Sequence, residues 1–385
     1  MAGMSAAEIL RELVAIPSVS FMSNRPVIEV AARLLAENGW VSRLLPYQDA
    51  KGVEKVNLLA RPAGQAGGED IEFAFVCHTD TVPFDLKAWP MATMLTEHDG
   101  MLHGCGACDV KGSMAGILFA IAGAGAVSKQ VALILTADEE VGCVGATKLL
   151  ALESLHVKSV LVCEPTSLRP AVAGKGYGLA EVRVTGREAH SAFPQKGVSA
   201  IYAAAAILRR IEERARQAEA RNLLFDPPWT TFNVGVLEGG SAKNIIPGAC
   251  RFLVEWRPLP EEDVLAPLAW LRGLAAEVER EYPLCLIAIE RLRADSGFAY
   301  PDNSAFVRTL ARLTGTEAVG ISFGSEATRF ARVADEVVVM GPGNMHTAHS
   351  DRECIPAAEL EAFAGCIGAL LRGSESDSLD SSKSI

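Results

Sequence analysis

Five short segments of this chain carry imidazoles and carboxylates from which a hydrolytic site could be built. The first is Cys77-His78-Thr79-Asp80-Thr81-Val82-Pro83, directly after the apolar run Ile71–Cys77. A His and an Asp two apart at a strand end point to the same side. Asp80 is thus expected to accept a hydrogen bond from His78 and to fix the tautomer of a metal-binding imidazole. A solvated turn would look the same if this segment stood alone. The second segment runs from Gly104-Cys105-Gly106-Ala107-Cys108-Asp109 through Val110-Lys111-Gly112-Ser113. A phosphate loop needs Gly where Val110 stands, and a dinucleotide fingerprint needs Gly where Asp109 stands. Cys105 and Cys108 lack a second CxxC pair, so a structural zinc ribbon fails. There remains a tight, Gly-permitted loop that presents the Asp109 carboxylate at a helix start. The third segment, Asp138-Glu139-Glu140, follows the apolar run Val131–Leu135. Three adjoining acids beside a buried strand are costly unless something cationic sits among them. Neighbouring side chains diverge, so one of Glu139 and Glu140 can ligate a metal while the other acts as general base. The fourth is Glu164, after Val157–Cys163. The fifth is Gly341–Ser350, which holds His346 and His349.

Each segment is weak alone. Jointly, His78, Asp109, Glu140, Glu164 and His349 all fall at or near the carboxyl ends of expected strands, where α/β proteins place ligands. Two imidazoles and three carboxylates suit two divalent metal ions, Zn2+ or Co2+. Such a pair makes an activated water available near neutral pH.

The elements that must position these groups can be read from periodicity. Ser5 and Glu8 form a capping-box pattern that predicts a helix through about Ile16, and a second helix is expected over Val27–Asn38. Strands over Val41–Leu45, Val56–Arg61, Ile71–Cys77, Val131–Leu135 and Val157–Cys163 alternate with helices over Gly112–Ala126 and Ala146–Glu153. That alternation predicts an α/β domain, a mixed central sheet flanked by helices. The middle of the chain reads as strand Leu179–Thr185, helix Val198–Ala220, strands Thr231–Leu237 and Cys250–Trp256, helix Glu261–Arg280 and strand Leu284–Glu290. This β-α-β-β-α-β order is that of a ferredoxin-like α+β domain. A helix near Asn303–Leu313, a strand at Glu336–Met340 and a helix at Ala357–Leu371 then resume the first pattern. The expected organisation is a discontinuous domain of residues 1–176 and 292–372, an inserted domain of residues 177–291, and a disordered tail at 373–385.

Composition narrows the function. The 385 residues include 36 Lys plus Arg against 47 Asp plus Glu, a formal net charge of −11. That charge argues against nucleic-acid or anionic-membrane partners. Glu8, Arg11 and Glu12 stand where a signal peptide would be apolar, and no apolar run approaches the roughly 20 residues of a membrane helix. Nine cysteines in such a chain read as reduced thiols of a cytoplasmic protein.

The motifs H-T-D-T-V-P, G-x-G-x-x-D-x-K-G, D-E-E-x-G, E-P-T and G-P-G-x-x-x-x-A-H, in this order from His78 to Pro356, resemble those of a known metallohydrolase family. It is the acetylornithine deacetylase/succinyl-diaminopimelate desuccinylase family of zinc aminoacylases and carboxypeptidases. The resemblance implies a catalytic α/β domain with an inserted lid or dimerisation domain. It implies that His78 and Glu164 hold one metal, Glu140 and His349 the other, and that Asp109 bridges them. Glu139 is then the general base and Asp80 the carboxylate behind His78. In Gly186–Ser191, His190 resembles a lid histidine that stabilises the tetrahedral oxyanion, in some dimers from the neighbouring subunit. Asn244 and Arg257 resemble lid residues near the substrate carboxylate, and Glu326 is placed by position toward the substrate side chain. His346 competes with His349, which holds the A-H position after G-P-G. Cys105 stands where relatives often carry Arg, and Val110 where many carry a larger or acidic residue. Some relatives have a cis peptide after the bridging Asp. The implied reaction is removal of an N-acyl group from an amino acid, by a homodimer joined through the lid. Gly174–Tyr177, Gly186–Pro194, Glu255–Pro258 and Phe323–Thr328 are most similar to the deacetylase branch. Two rivals of other classes are a non-catalytic binding protein on the same fold and a nucleotide-binding transferase. The first would have no chemical need for Glu139, and the second fails both Gly-loop tests.

Overall fold

The computed structural model describes residues 3–65, 70–125, 127 and 130–373. The Ser- and Asp-rich tail beyond Gly373 lies outside the described residues. Ten strands among the described residues are six residues or longer: β1 (Trp40–Gln48), β2 (Glu54–Pro62), β3 (Asp70–His78), β4 (Val131–Thr136), β5 (His156–Val162), β6 (Tyr177–Thr185), β7 (Thr231–Gly239), β8 (Ala249–Arg257), β9 (Leu286–Asp295) and β10 (Ala334–Val339). Contacts divide the chain into two compact units. Met1–Val172, Tyr300–Val319 and Ser325–Ile385 form the first, and Ala173–Ala299 with Gly320–Gly324 the second. The segment 320–324 goes with the second unit because its backbone bonds there: Lys175 N–H donates to Ile321 O, and Gly320 N–H to Leu224 O.

The first unit is built on a mixed sheet in the order β1-β2-β4-β3-β5-β10. The β1–β2 and β2–β4 pairs are antiparallel, whereas β4, β3, β5 and β10 run parallel. Parallel strands are covered on both faces, so they are apolar throughout rather than alternating. β4 accordingly reads Val-Ala-Leu-Ile-Leu-Thr and is buried at every position. Helices Ala6–Val14, Arg25–Glu37, Gly112–Ala124 and Ala357–Arg372 pack into the core with Phe73, Phe75, Leu133, Leu135 and Leu161. The Ser5 capping box forms: Ser5 Oγ accepts the Glu8 N–H, and Glu8 Oε2 accepts the Ser5 N–H at 2.7 Å. The stretch Ala107–Ala124 has the length and apolar character of a membrane span, but it is 83% buried inside this unit. It is a core helix.

The second unit is a four-stranded antiparallel sheet in the order β7-β8-β6-β9. Taken from the other edge, its strands stand fourth, first, third and second in the chain, as in ferredoxin-like folds. Helices Ala200–Arg216 and Ala266–Glu281 supply Ile207, Ile211, Leu271 and Val278 to a core shared with Phe252, Val254 and Trp256.

Three short strands escape periodicity altogether. Thr96–His98, Met101–His103 and Cys354–Pro356 form a separate antiparallel sheet. Segments of three residues carry no measurable period.

One close approach matters to the site. Gly145 N–H donates to Ala137 O, and Asn57 on β2 bonds both sides of this turn, accepting from Ala137 N–H and donating to Gly145 O. A Cβ on Gly145 would lie 2.1 Å from Ala137 O and 2.7 Å from Asn57 Oδ1. Backbone cannot yield there as a side chain can, so Gly145→Ala is expected to cost at least about 1–3 kcal/mol. A lowered thermal midpoint checks this; an unchanged one contradicts the packing.

Candidate metal centre

The carboxyl ends of β4, β3, β5 and β10 lie side by side, with His78 directly opposite Thr136 and Val162 aligned with both Val76 and Val339. All five acidic or histidine-bearing segments issue from this edge or from the loop before helix Gly112–Ala124. Adjacent parallel strands thereby gather side chains far apart in the chain.

Four of the five expected ligands meet directly. His78 Nε2 lies 2.9 Å from Asp109 Oδ1. His349 Nε2 lies 3.0 Å from Asp109 Oδ2 and 3.0 Å from Glu140 Oε1. Asp109 therefore stands between two imidazoles, one carboxylate oxygen to each. His349 rather than His346 makes these contacts. The fifth, Glu164, is buried, and its nearest strong electrostatic neighbours are Asp109 and His78. The peptide bond Asp109–Val110 is cis. His78, Asp109 and Glu140 each offer a ligand atom, all within 4.8 Å of one another.

The electrostatics show what this cluster lacks. Burial, then the Asp109 charge, pushes Glu164 well above the usual carboxylate range. Burial lifts Glu139 to about 8, with Glu140, Glu326 and Asp80 adding to the rise and His78 opposing it. Burial also raises Glu140, against its bond to His349. Burial opposes charge on His78, but its bond to Asp109 and the surrounding carboxylates outweigh that and hold it well above 6.5. The bonds to Asp109 and Glu140 raise His349 to about 10. Burial disfavours charge on Asp109 as well, yet the bonds from His349 and His78 keep it below the ordinary range. Without metal, protons on the two imidazoles stand in for cations between the carboxylates. Buried carboxylates with imidazole nitrogens on either side form a donor set that fits divalent metal.

One expectation changes. His78 Nδ1 bonds the Asp80 backbone carbonyl at 3.0 Å, and the Asp80 carboxylate lies 3.7 Å away. The Asp80 carboxylate instead accepts the Glu139 N–H at 3.0 Å, the Glu140 N–H at 3.2 Å and the Ser20 hydroxyl at 2.8 Å. It clamps the acidic turn, because two backbone amides outcompete one ring nitrogen for it. Glu326, placed by position toward the substrate side chain, is 1% exposed; Thr136 donates to its Oε2 at 2.8 Å, and burial raises it to about 7.

The three remaining candidates lie in the second unit. The residues His190 and Ile245 pair across a short ladder, and Ser191 N–H donates to Asn244 O, so His190 and Asn244 are neighbours. His190 is exposed and its Nδ1 accepts the Ala192 N–H at 3.1 Å, which leaves the proton on Nε2. Arg257 ends β8 with its guanidinium 4.4 Å from the centroid of the Tyr177 ring.

Sequence reasoning missed three supporting groups. Glu353 Oε1 accepts the N–H groups of Cys108 and Asp109, both at 3.0 Å, and so holds the Asp109 loop. The Cys143 thiol lies 3.4 Å from Glu139 Oε1. Lys55 is buried against Asp138. Only Cys143 carried a signal, since it sits four residues after Glu139 in a motif already singled out.

Residues 74–373 match Peptidase family M20/M25/M40. The chain belongs to this family and is a metal-dependent amidohydrolase. Among named relatives, it is 42% identical over 353 residues to an acetylornithine deacetylase of Myxococcus xanthus, covering 91% of this chain and 92% of that one. It is 32% identical over 378 residues to an acetylornithine deacetylase of Proteus mirabilis, covering 94% and 95%. Its fold is shared with the aminopeptidase PepT of Bacillus cereus, at a TM-score of 0.74 and 22% identity over 95% of this chain and 97% of that one. It is shared also with the M20 metallo-carboxypeptidase Sso-CP2 of Sulfolobus solfataricus, at 0.72 and 18% over 96% and 99%.

Metal binding should release protons. His78, His349 and Glu164 each hold a proton more tightly than the free group does, and a loaded cluster cannot keep those protons on its ligand atoms. Raising the pH removes the competitor, so affinity for Zn2+ or Co2+ rises with pH. Calorimetric titration of chelator-stripped protein in two buffers of different ionisation enthalpy measures the protons released. A proton-neutral binding event contradicts the assignment.

Proposed function

We propose that the chain hydrolyses the amide of an N-acyl amino acid, and that its substrate is N-acetyl-L-ornithine, giving L-ornithine and acetate in arginine biosynthesis. The observation that carries the hydrolytic reading is Asp109 held between His78 and His349 beside Glu140 and Glu139. The substrate rests on the two named relatives, each matched over more than nine-tenths of its length. It rests also on the segments Gly174–Tyr177, Gly186–Pro194, Glu255–Pro258 and Phe323–Thr328.

In this reading His78 and Glu164 would hold one divalent ion, His349 and Glu140 a second, and Asp109 would be shared between the two. Bound there, zinc or cobalt would polarise the scissile carbonyl and lower the pKa of a water. Glu139 takes the proton from the attacking water as its oxygen bonds to the carbonyl carbon. It then delivers that proton to the nitrogen as the C–N bond breaks, and the second water-derived proton passes from the new carboxyl group to the amine, so that a carboxylate and an ammonium group leave. Asp80 keeps Glu139 and Glu140 pointed apart by holding both their amides. His190 offers Nε2–H to the oxygen that gains charge in the tetrahedral state, a contact worth most where charge newly develops. Arg257, with Asn244, receives the substrate α-carboxylate, and the Tyr177 ring limits where the guanidinium can go. A homodimer formed through the second unit, acting in the cytoplasm, belongs to the same reading.

Glu139→Gln is expected to retain metal while turnover falls about 10²–10⁴-fold. Metal analysis and acetate release measure both, and near-normal turnover removes Glu139 as the base. His190→Ala should slow turnover with metal content unchanged; an unaltered rate takes His190 out of the reaction. A panel of N-acetylornithine, N-acetylcitrulline, N-succinyl-diaminopimelate and simple N-acyl amino acids, with zinc or cobalt restored to stripped protein, tests the substrate. A higher kcat/KM on another member replaces acetylornithine.

A further inference from the structure

The mechanism above uses Glu139 and Glu140 but leaves Asp138, beside them, without a role. Asp138 is 2% exposed, and its backbone is held at φ +58°. A carboxylate so buried needs a counter-charge. Lys55, 1% exposed, supplies it from β2: its Nζ lies 2.8 Å from Asp138 Oδ1. Tyr47, directly across from Lys55 on β1, donates its hydroxyl to Asp138 Oδ2 at 2.8 Å.

Lys55 does more than neutralise Asp138. Its ammonium also donates to Ser20 O and, at 2.8 Å, to Met22 O. The Ser20 hydroxyl donates to the Asp80 carboxylate, which holds the Glu139 and Glu140 amides. The contacts close a ring: Lys55, Ser20, Asp80, the Glu139 amide, Asp138 and Lys55 again. A buried ion pair adds little net stability over neutral groups of the same shape, so stability alone does not account for it. Its distinctive product is position.

We propose that Lys55 is a positioning residue of the hydrolytic centre, whose ammonium, paired with Asp138, sets where the Glu139 carboxylate stands. The inference rests on the reading of Glu139 as the base.

Removing Lys55 alone would strand a buried anion and endanger folding, so the test removes both charges. Lys55→Met with Asp138→Asn is compared with the parent enzyme, both metal-loaded, for thermal midpoint, bound metal, kcat and KM on N-acetyl-L-ornithine or the best N-acyl substrate. The expected result is a folded, metal-replete protein with KM unchanged and kcat lowered roughly 10- to 100-fold, the size of effect a misplaced catalytic group produces. Added to Glu139→Gln, the double change should cause no further loss. A parental kcat overturns the inference, as does an equal further loss in the Glu139→Gln background. Retained turnover in Glu139→Gln alone overturns the base assignment and this inference together, and is told apart by that single variant. Should the double variant not fold, Tyr47→Phe decides. It removes one hydrogen bond to Asp138 and keeps the ring. A kcat loss of roughly two- to tenfold at unchanged KM supports the inference, and an unchanged kcat overturns it.

Discussion

Negative charge buried at one edge of a sheet is the constraint on which the rest of this molecule depends. Asp109 and Glu164 are almost fully covered, and Glu139 and Glu140 are largely so. Burial first, and the neighbouring anions after it, make Glu139, Glu140 and Glu164 all hold protons more tightly than free carboxylates. A fold keeps such a cluster only if cations enter it. The bonds to Asp109 favour the cationic form of His78 on one side and of His349 on the other. The same geometry makes the site a candidate metal centre, in which metal would compete with protons.

Holding the cluster together falls to groups that touch no metal. Asp80 fixes the Glu139 and Glu140 amides, Glu353 fixes those of Cys108 and Asp109, and Asn57 ties the two arms of the turn from Ala137 to Gly145. Each uses a buried acceptor to satisfy backbone N–H groups that the loops leave without sheet partners. Two otherwise irregular loops thereby gain the rigidity of the sheet beneath them. That rigidity lets neighbouring carboxylates in one tripeptide point to different tasks.

Much of this was legible in the sequence. Strands and helices longer than six residues announced themselves through period and capping, as the Ser5–Glu8 box did, because their local preference agrees with their final environment. Four of the five clusters follow apolar runs, and runs that become parallel strands share a carboxyl edge; Asp109 instead comes from the loop before helix Gly112–Ala124. The reading failed where a group's partner is chosen by space rather than by spacing. His78 and Asp80 stand two apart as expected, yet the carbonyl and not the carboxylate takes the ring proton, since the carboxylate is already held by amides 59 and 60 residues away. Glu326 gave no sign that Thr136 would claim it from 190 residues off. Lys55, just before the expected strand Val56–Arg61, gave no sign of its partner, since Asp138 lies on a loop between other elements.

What the sequence alone determined is the inventory: which residues can ligate, which can move a proton, and which apolar runs must be buried beside them. These follow from side-chain chemistry and local periodicity, and neither depends on the path of the chain. Only the tertiary structure decided the pairings. It set Asp109 between two imidazoles, gave Asp80 to the backbone of the acidic turn, and sealed Lys55 and Glu326 inside. Coulomb and hydrogen-bond energies act over a few ångströms of space, and distance along a chain says nothing about that until strand order and register are set.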